Sequence, residues 1–159
     1  MTAELVRQLP EVALVAQTIQ LAVAPVFLLA GIGAFLNVTT GRLARVIDRA
    51  RTVEAQVLSS TGAEHDRHLK EIQRLDRRMT VVNWSIGLSV ASGMAVALVV
   101  ILLFLAELLG VNLGTLVAVL FIMAMLLVVA ALGAFLIEVR LAARTIRVRD
   151  EVLFHEADG

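Results

Sequence analysis

Gln17, Gln20, Ala24, Gly31 and Val38, followed by Arg42, Arg45 and Arg49, fall in one sector when the chain is wound at about 3.6 residues per turn. Uncharged amides and small side chains in such a stripe suit the wall of a water-filled path. A collar of guanidiniums at its end would favour anions or oppose cations. The same residues have a plainer use: glycine and alanine let helices approach closely, glutamines hydrogen-bond between helices, and arginines mark a membrane boundary. Pro25 lacks an amide hydrogen and frees the carbonyl of Leu21, so a kink is expected there. Asp48 lies among Arg45, Arg49 and Arg51. That group suits an ion-pair cluster and equally a site for an anionic lipid headgroup or phosphate, with Asp48 orienting the arginines, and the two readings can hold together.

Other polar residues offer less. Asn37, Thr39 and Thr40, with Asn83 and Ser85 at the same depth, are candidates for a cation or lipid headgroup, or for hydrogen bonds that hold the passage out of the membrane together. Glu64, His68 and Glu71 stand at i, i+4 and i+7, spacing that one divalent ion could use, although a solvated helix face is the better account of them. Ser85, Ser89, Ser92 and Gly93 make one small-residue face, and Ala130, Ala131 and Ala134 another. A serine nucleophile would need a base within reach, yet the three histidines lie outside the apolar stretches and those stretches contain no Asp or Glu. No catalytic residue, metal or cofactor is therefore assigned, and an enzyme is the least supported class. With no cysteine there is no thiol chemistry either.

The elements that position these residues follow from composition. Of 159 residues 59% are hydrophobic and the mean hydropathy is +0.88, which excludes disorder and an ordinary soluble domain. The 14 basic and 14 acidic residues cancel, so a nucleic-acid partner is not expected. Val12 to Gly41, Met79 to Ala106 and Leu108 to Ile137 carry no charged residue over 30, 28 and 30 positions. Each exceeds the roughly 20 residues that cross a bilayer core, so three transmembrane helices are predicted. Nine basic residues lie between the first and second stretches and four follow the third, leaving only Arg7 elsewhere. The positive-inside rule then puts the N-terminus outside, with the 42–78 segment and the C-terminus in the cytoplasm. Trp84 suits a headgroup-level anchor.

The segment between the first two spans reads as a helical hairpin. Leu43, Val46, Ile47, Ala50, Val53, Val57 and Leu58 recur at steps of three and four, as do Leu69, Ile72, Leu75, Met79 and Val82. Ser59 to Gly62 is turn chemistry, with the tip near Gly62, and Thr61 with Glu64 makes a capping box. No proline or glycine separates hairpin from membrane helix. The third span is expected to run on, with Leu141, Val148 and Val152 covering the hairpin, before a frayed tail from His155 to Gly159.

The run Pro25-Val26-Phe27-Leu28-Leu29-Ala30-Gly31-Ile32-Gly33, then Leu36-Asn37-Val38, Gly41-Arg42-Leu43-Ala44-Arg45 and Asp48-Arg49-Ala50-Arg51, resembles a family of small bacterial multi-pass membrane proteins catalogued as a domain of unknown function. The resemblance implies a bacterial membrane location and carries over no catalytic residue.

The expected architecture is thus all-α, a membrane protein with three transmembrane helices, the first two joined by a cytoplasmic helical hairpin. The divisions are 1–41 for the external N-terminus and first helix, 42–78 for the hairpin, 79–109 for the second helix, 110–113 for an external turn, 114–139 for the third helix and 140–159 for a cytoplasmic extension and tail. The location is the bacterial inner membrane, and membrane lipids are partners. Small faces on every helix favour a homo-oligomer. A channel or pore-like assembly with the first helix at its centre is the leading expectation. A scaffold recruiting a cytoplasmic protein through the hairpin is the alternative.

Overall fold

A computed structural model describes the backbone of residues 2–153 and the side chains of residues 19–143. The Gln17, Val148 and Val152 side chains and the tail from His155 to Gly159, all invoked above, lie outside the described residues. The chain forms α1 (Thr2–Ser59), α2 (Ala63–Leu109) and α3 (Gly114–Leu153). Each contains a segment long and apolar enough to cross a membrane, and the most apolar windows bury only 17, 22 and 11% of their residues. Phe27, Met94, Ile122 and Val129 face outward. So large an apolar surface marks a membrane or partner contact, and helices satisfy their own backbone in lipid. The protein is an all-α multi-pass membrane protein.

Apart from Ala22, the buried positions recur every seventh residue. They are Pro25, Ile32, Thr39, Val46 and Val53 on α1; Leu75, Val82, Ser89 and Val96 on α2, with a second row at Ser85, Ser92 and Val99; and Ala124, Ala131 and Glu138 on α3. Seven residues are close to two helical turns, so each row holds one stripe against its neighbours. Alanine on α3 and serine on α2 keep those stripes thin, which lets backbones approach.

The helices contribute to two compact units, one of Met1–Phe35 with Ser89–Val128 and the other of Leu36–Leu88 with Val129–Gly159. In the first, the Ser92 hydroxyl donates to the Ala124 carbonyl at 2.8 Å, and a Cβ on Gly93 would meet the Ile32 side chain at 3.7 Å. In the second, Ser85 donates to the Ala131 carbonyl at 2.9 Å, while Val46, Val53 and Leu75 form a core with Ala50, Ile72 and Met79 around it. Of the small α3 residues, Ala131 is buried, Ala134 half-buried and Ala130 exposed.

The seam of the hairpin is narrower than the apolar pattern suggests. Leu58 is 86% exposed and Leu69 40%. Leu58 stands one residue past half-buried Val57 and Leu69 one residue past half-buried His68, about 100° of rotation, so each points away from the facing helix.

The two turns are made by glycine. Gly62 has φ 67° and Gly110 φ 63°, left-handed values that cost an L-residue with a side chain. After α2, the Val111 amide donates to the Ala106 carbonyl and the Gly110 amide to Glu107, the paired bonds of a Schellman stop. Asn112 Oδ1 then accepts from the Gly114 amide at the start of α3. At the other turn the expected capping box does not form. The reversal occurs at Gly62, whose own carbonyl accepts from the Asp66 amide and so starts the α2 ladder at Ala63, and Thr61 makes no side-chain hydrogen bond among the described residues. His65 Nδ1 instead lies 3.2 Å from the Val57 carbonyl and closes the end of α1.

Candidate functional site: a buried carboxylate among four arginines

Each charge-free run ends on a charge: Gly41 is followed by Arg42, Met79 preceded by Arg78, and Ile137 followed by Glu138. These three residues meet. Arg42 Nη1 donates to Glu138 Oε2 at 2.9 Å and Arg78 Nη2 to Oε1 at 2.8 Å, so each carboxylate oxygen takes one guanidinium. Glu138 is 1% exposed, against 34 and 23% for the side chains of Arg42 and Arg78. A buried carboxylate is tolerated where charged donors replace its water. Arg42 also lies over the Phe135 ring, 5.1 Å from its centroid, a cation–π contact that holds the guanidinium in place.

Beside this bridge is a cavity of about 290 Å³, lined by Arg42, Arg45, Val46, Arg49, Leu75, Arg78 and Glu138. Arg49 is anchored across the hairpin, where its Nε and Nη2 donate to Glu71 Oε1 at 3.0 and 2.7 Å. Among the described residues Arg45 is exposed and has no ion pair, and the Nε of Arg78 is buried without a partner. The wall therefore carries four guanidiniums around one carboxylate.

The sequence-derived candidates divide. Gln20, Ala24, Gly31 and Val38 are all exposed, and a Cβ at Gly31 would meet nothing within 4 Å. Pro25 is buried and α1 passes through it as one helix. Asp48 and Arg51 are exposed on the hairpin, and Asp48 pairs with none of its neighbouring arginines among the described residues. Arg42 and Arg49 find their carboxylates on other helices. Thr39 and Thr40 return their hydroxyls to carbonyls of α1 at Leu36, Ser85 is committed to α3, and Asn37 and Asn83 are exposed. Glu71 is occupied by Arg49, and no cluster of three metal-ligating side chains occurs among the described residues. Trp84 is exposed beside Thr80 and Asn83.

Glu138 is the residue that sequence reasoning missed. Its signal is positional: it is the first charge after the third apolar run, and its opposite numbers on the other two runs are arginines.

Residues 22–148 match the model of a family described as a protein of unknown function, DUF2721. The chain belongs to this family. The matched region takes in the whole Arg42–Arg78–Glu138 bridge of this DUF2721 protein, together with the stripe from Ala24 to Arg45. No curated protein and no solved structure matches the chain.

Proposed function

We propose that this protein is a homo-oligomeric, pore-like assembly of the bacterial inner membrane, with α1 toward the centre and the hairpin in the cytoplasm. The supporting observation is the split between two registers of α1. Pro25, Ile32, Thr39, Val46 and Val53 are buried against the chain's own helices, while Ala24, Gly31, Val38 and Arg45, one residue earlier in each repeat, are exposed. The small stripe and Arg45 are thus not consumed by packing within one chain, whereas Arg42 and Arg49 are ion-paired inside it. A ring of copies would bring the stripes together, amides and small residues along the lumen and Arg45 at its mouth. The orientation follows from thirteen of fourteen basic residues lying on the hairpin and after the third apolar run.

The test is ion flux in liposomes, with particle size measured in parallel. A Cβ at Gly31 meets nothing within 4 Å inside one chain, so the face that Gly31→Trp enlarges is open to another copy. Loss of flux from an oligomer of unchanged size reports a lumen, as does altered charge selectivity in Arg45→Glu. An intact parent oligomer that passes no ions under voltage, tension or pH steps overturns the pore.

A scaffold is the second reading, favoured by Leu58 and Leu69, apolar side chains exposed near the tip of an otherwise charged hairpin. It gains if flux is absent and Leu58→Asp abolishes recruitment of a cytoplasmic protein.

A further inference from the structure

We infer that the cavity walled by Arg42, Arg45, Arg49 and Arg78 is a binding site for a phosphate-bearing anion. Three observations carry this, and none depends on whether the protein conducts. The first is unmet charge. Glu138 spends one oxygen on each of Arg42 and Arg78, and Glu71 holds Arg49, which leaves Arg45 without a carboxylate among the described residues and the Arg78 Nε without an acceptor. Each guanidinium has five N–H donors, so the acceptors on the wall fall far short of the donors. Phosphate, with several oxygens and a diffuse negative charge, is the anion that several planar forks bind together.

The second is shape. About 290 Å³ is far more than the roughly 30 Å³ share of one water molecule, and Val46 and Leu75 give one part of the wall an apolar surface. The third is depth. Arg42, Arg78 and Glu138 each adjoin the end of a charge-free run, where hydrocarbon gives way to headgroups. The ligand chemistry is therefore an anionic phosphate group, either the phosphodiester of an anionic phospholipid headgroup or free inorganic phosphate.

The experiment uses the full chain purified in detergent, with two arms. In one, the protein is exposed to vesicles of phosphatidylcholine and phosphatidylglycerol in equal parts, and retained lipid is counted by native mass spectrometry. In the other, inorganic phosphate is titrated against chloride at equal ionic strength while thermal unfolding is followed. Arg45→Gln should weaken retention or stabilisation about tenfold, the weight of one charge-assisted hydrogen bond, whereas Arg67→Gln, the same charge change near the hairpin tip, should leave it unaltered. Arg45 is exposed and free of ion pairs among the described residues, so the substitution should fold. If it does not, Arg45→Lys, which keeps the charge and loses the fork, carries the same comparison. A response in the lipid arm identifies a headgroup and a response in the phosphate arm a soluble anion, and either supports the site. No response in both arms, or equal loss in Arg67→Gln, overturns it.

Discussion

Arg42 donates a 2.9 Å hydrogen bond to Glu138 across 96 positions of sequence, joining the end of the first apolar run to the end of the third. Arg78 adds the start of the second through the other carboxylate oxygen. One buried side chain thus joins the ends of three charge-free runs. Exposed ion pairs contribute little, but a buried carboxylate shared by two guanidiniums leaves two cations stranded when it is removed.

Glu138→Gln should accordingly destabilise the protein by about 3 kcal/mol, with the partial exposure of both arginines keeping the loss near the lower end of the range for broken buried pairs. Arg42→Gln should cost less, because Arg78 still neutralises the carboxylate. Equilibrium unfolding in mixed detergent would give the order, and an Arg42→Gln loss equal to or greater than that of Glu138→Gln would refute the bridging role.

Leu75 packs with Val46 and Val53 in the hairpin core. Leu75→Asp should place a charge without a partner there and cost several kcal/mol, read as rapid proteolysis of the hairpin in permeabilised membranes while the apolar spans survive. Leu58→Asp should leave the digestion pattern unchanged, since that side chain already faces solvent. Equal protection in both variants would show that the seam does not hold the hairpin closed.

The hydroxyls of Ser85 and Ser92 donate to α3 carbonyls, each within its own compact unit. Ser85→Ala and Ser92→Ala should each lose about 0.6 kcal/mol, the average for hydrogen bonds between membrane helices. The double variant should lose close to the sum, because the sites share no partner. A loss well above that, measured by the same unfolding assay, would mean that the serines do more than join the two helices.

Thirteen of the fourteen basic residues lie on one side of the spans if the chain crosses three times. Val111→Cys, in the exposed turn between α2 and α3, should react with an impermeant thiol reagent on intact cells. Thr61→Cys, exposed in the hairpin turn, should react only after permeabilisation. Reversed labelling would invert the orientation and remove the hairpin from the cytoplasm.

The three apolar runs were legible in the sequence because thirty residues without a charge have few other physical meanings, and the helix type followed from the apolar steps. Gly62 and Gly110 were readable as turns for a similar reason: local backbone geometry depends on local residues. The pairing of charges was not. Asp48 sits within three residues of Arg45, Arg49 and Arg51, yet Arg49 pairs with Glu71 and Arg42 with Glu138, because a helix directs side chains by rotational phase and not by proximity along the chain. Leu58 shows the same limit, being apolar and in the pattern but one residue out of phase with Val57. Composition and period determined that three helices form and where their charge-free runs end. Only their packing decided that α1 buries the register of Pro25 and Ile32, leaves that of Ala24 and Gly31 exposed, and turns Arg42 and Arg78 onto Glu138, since each outcome depends on how far one helix is rotated against the others.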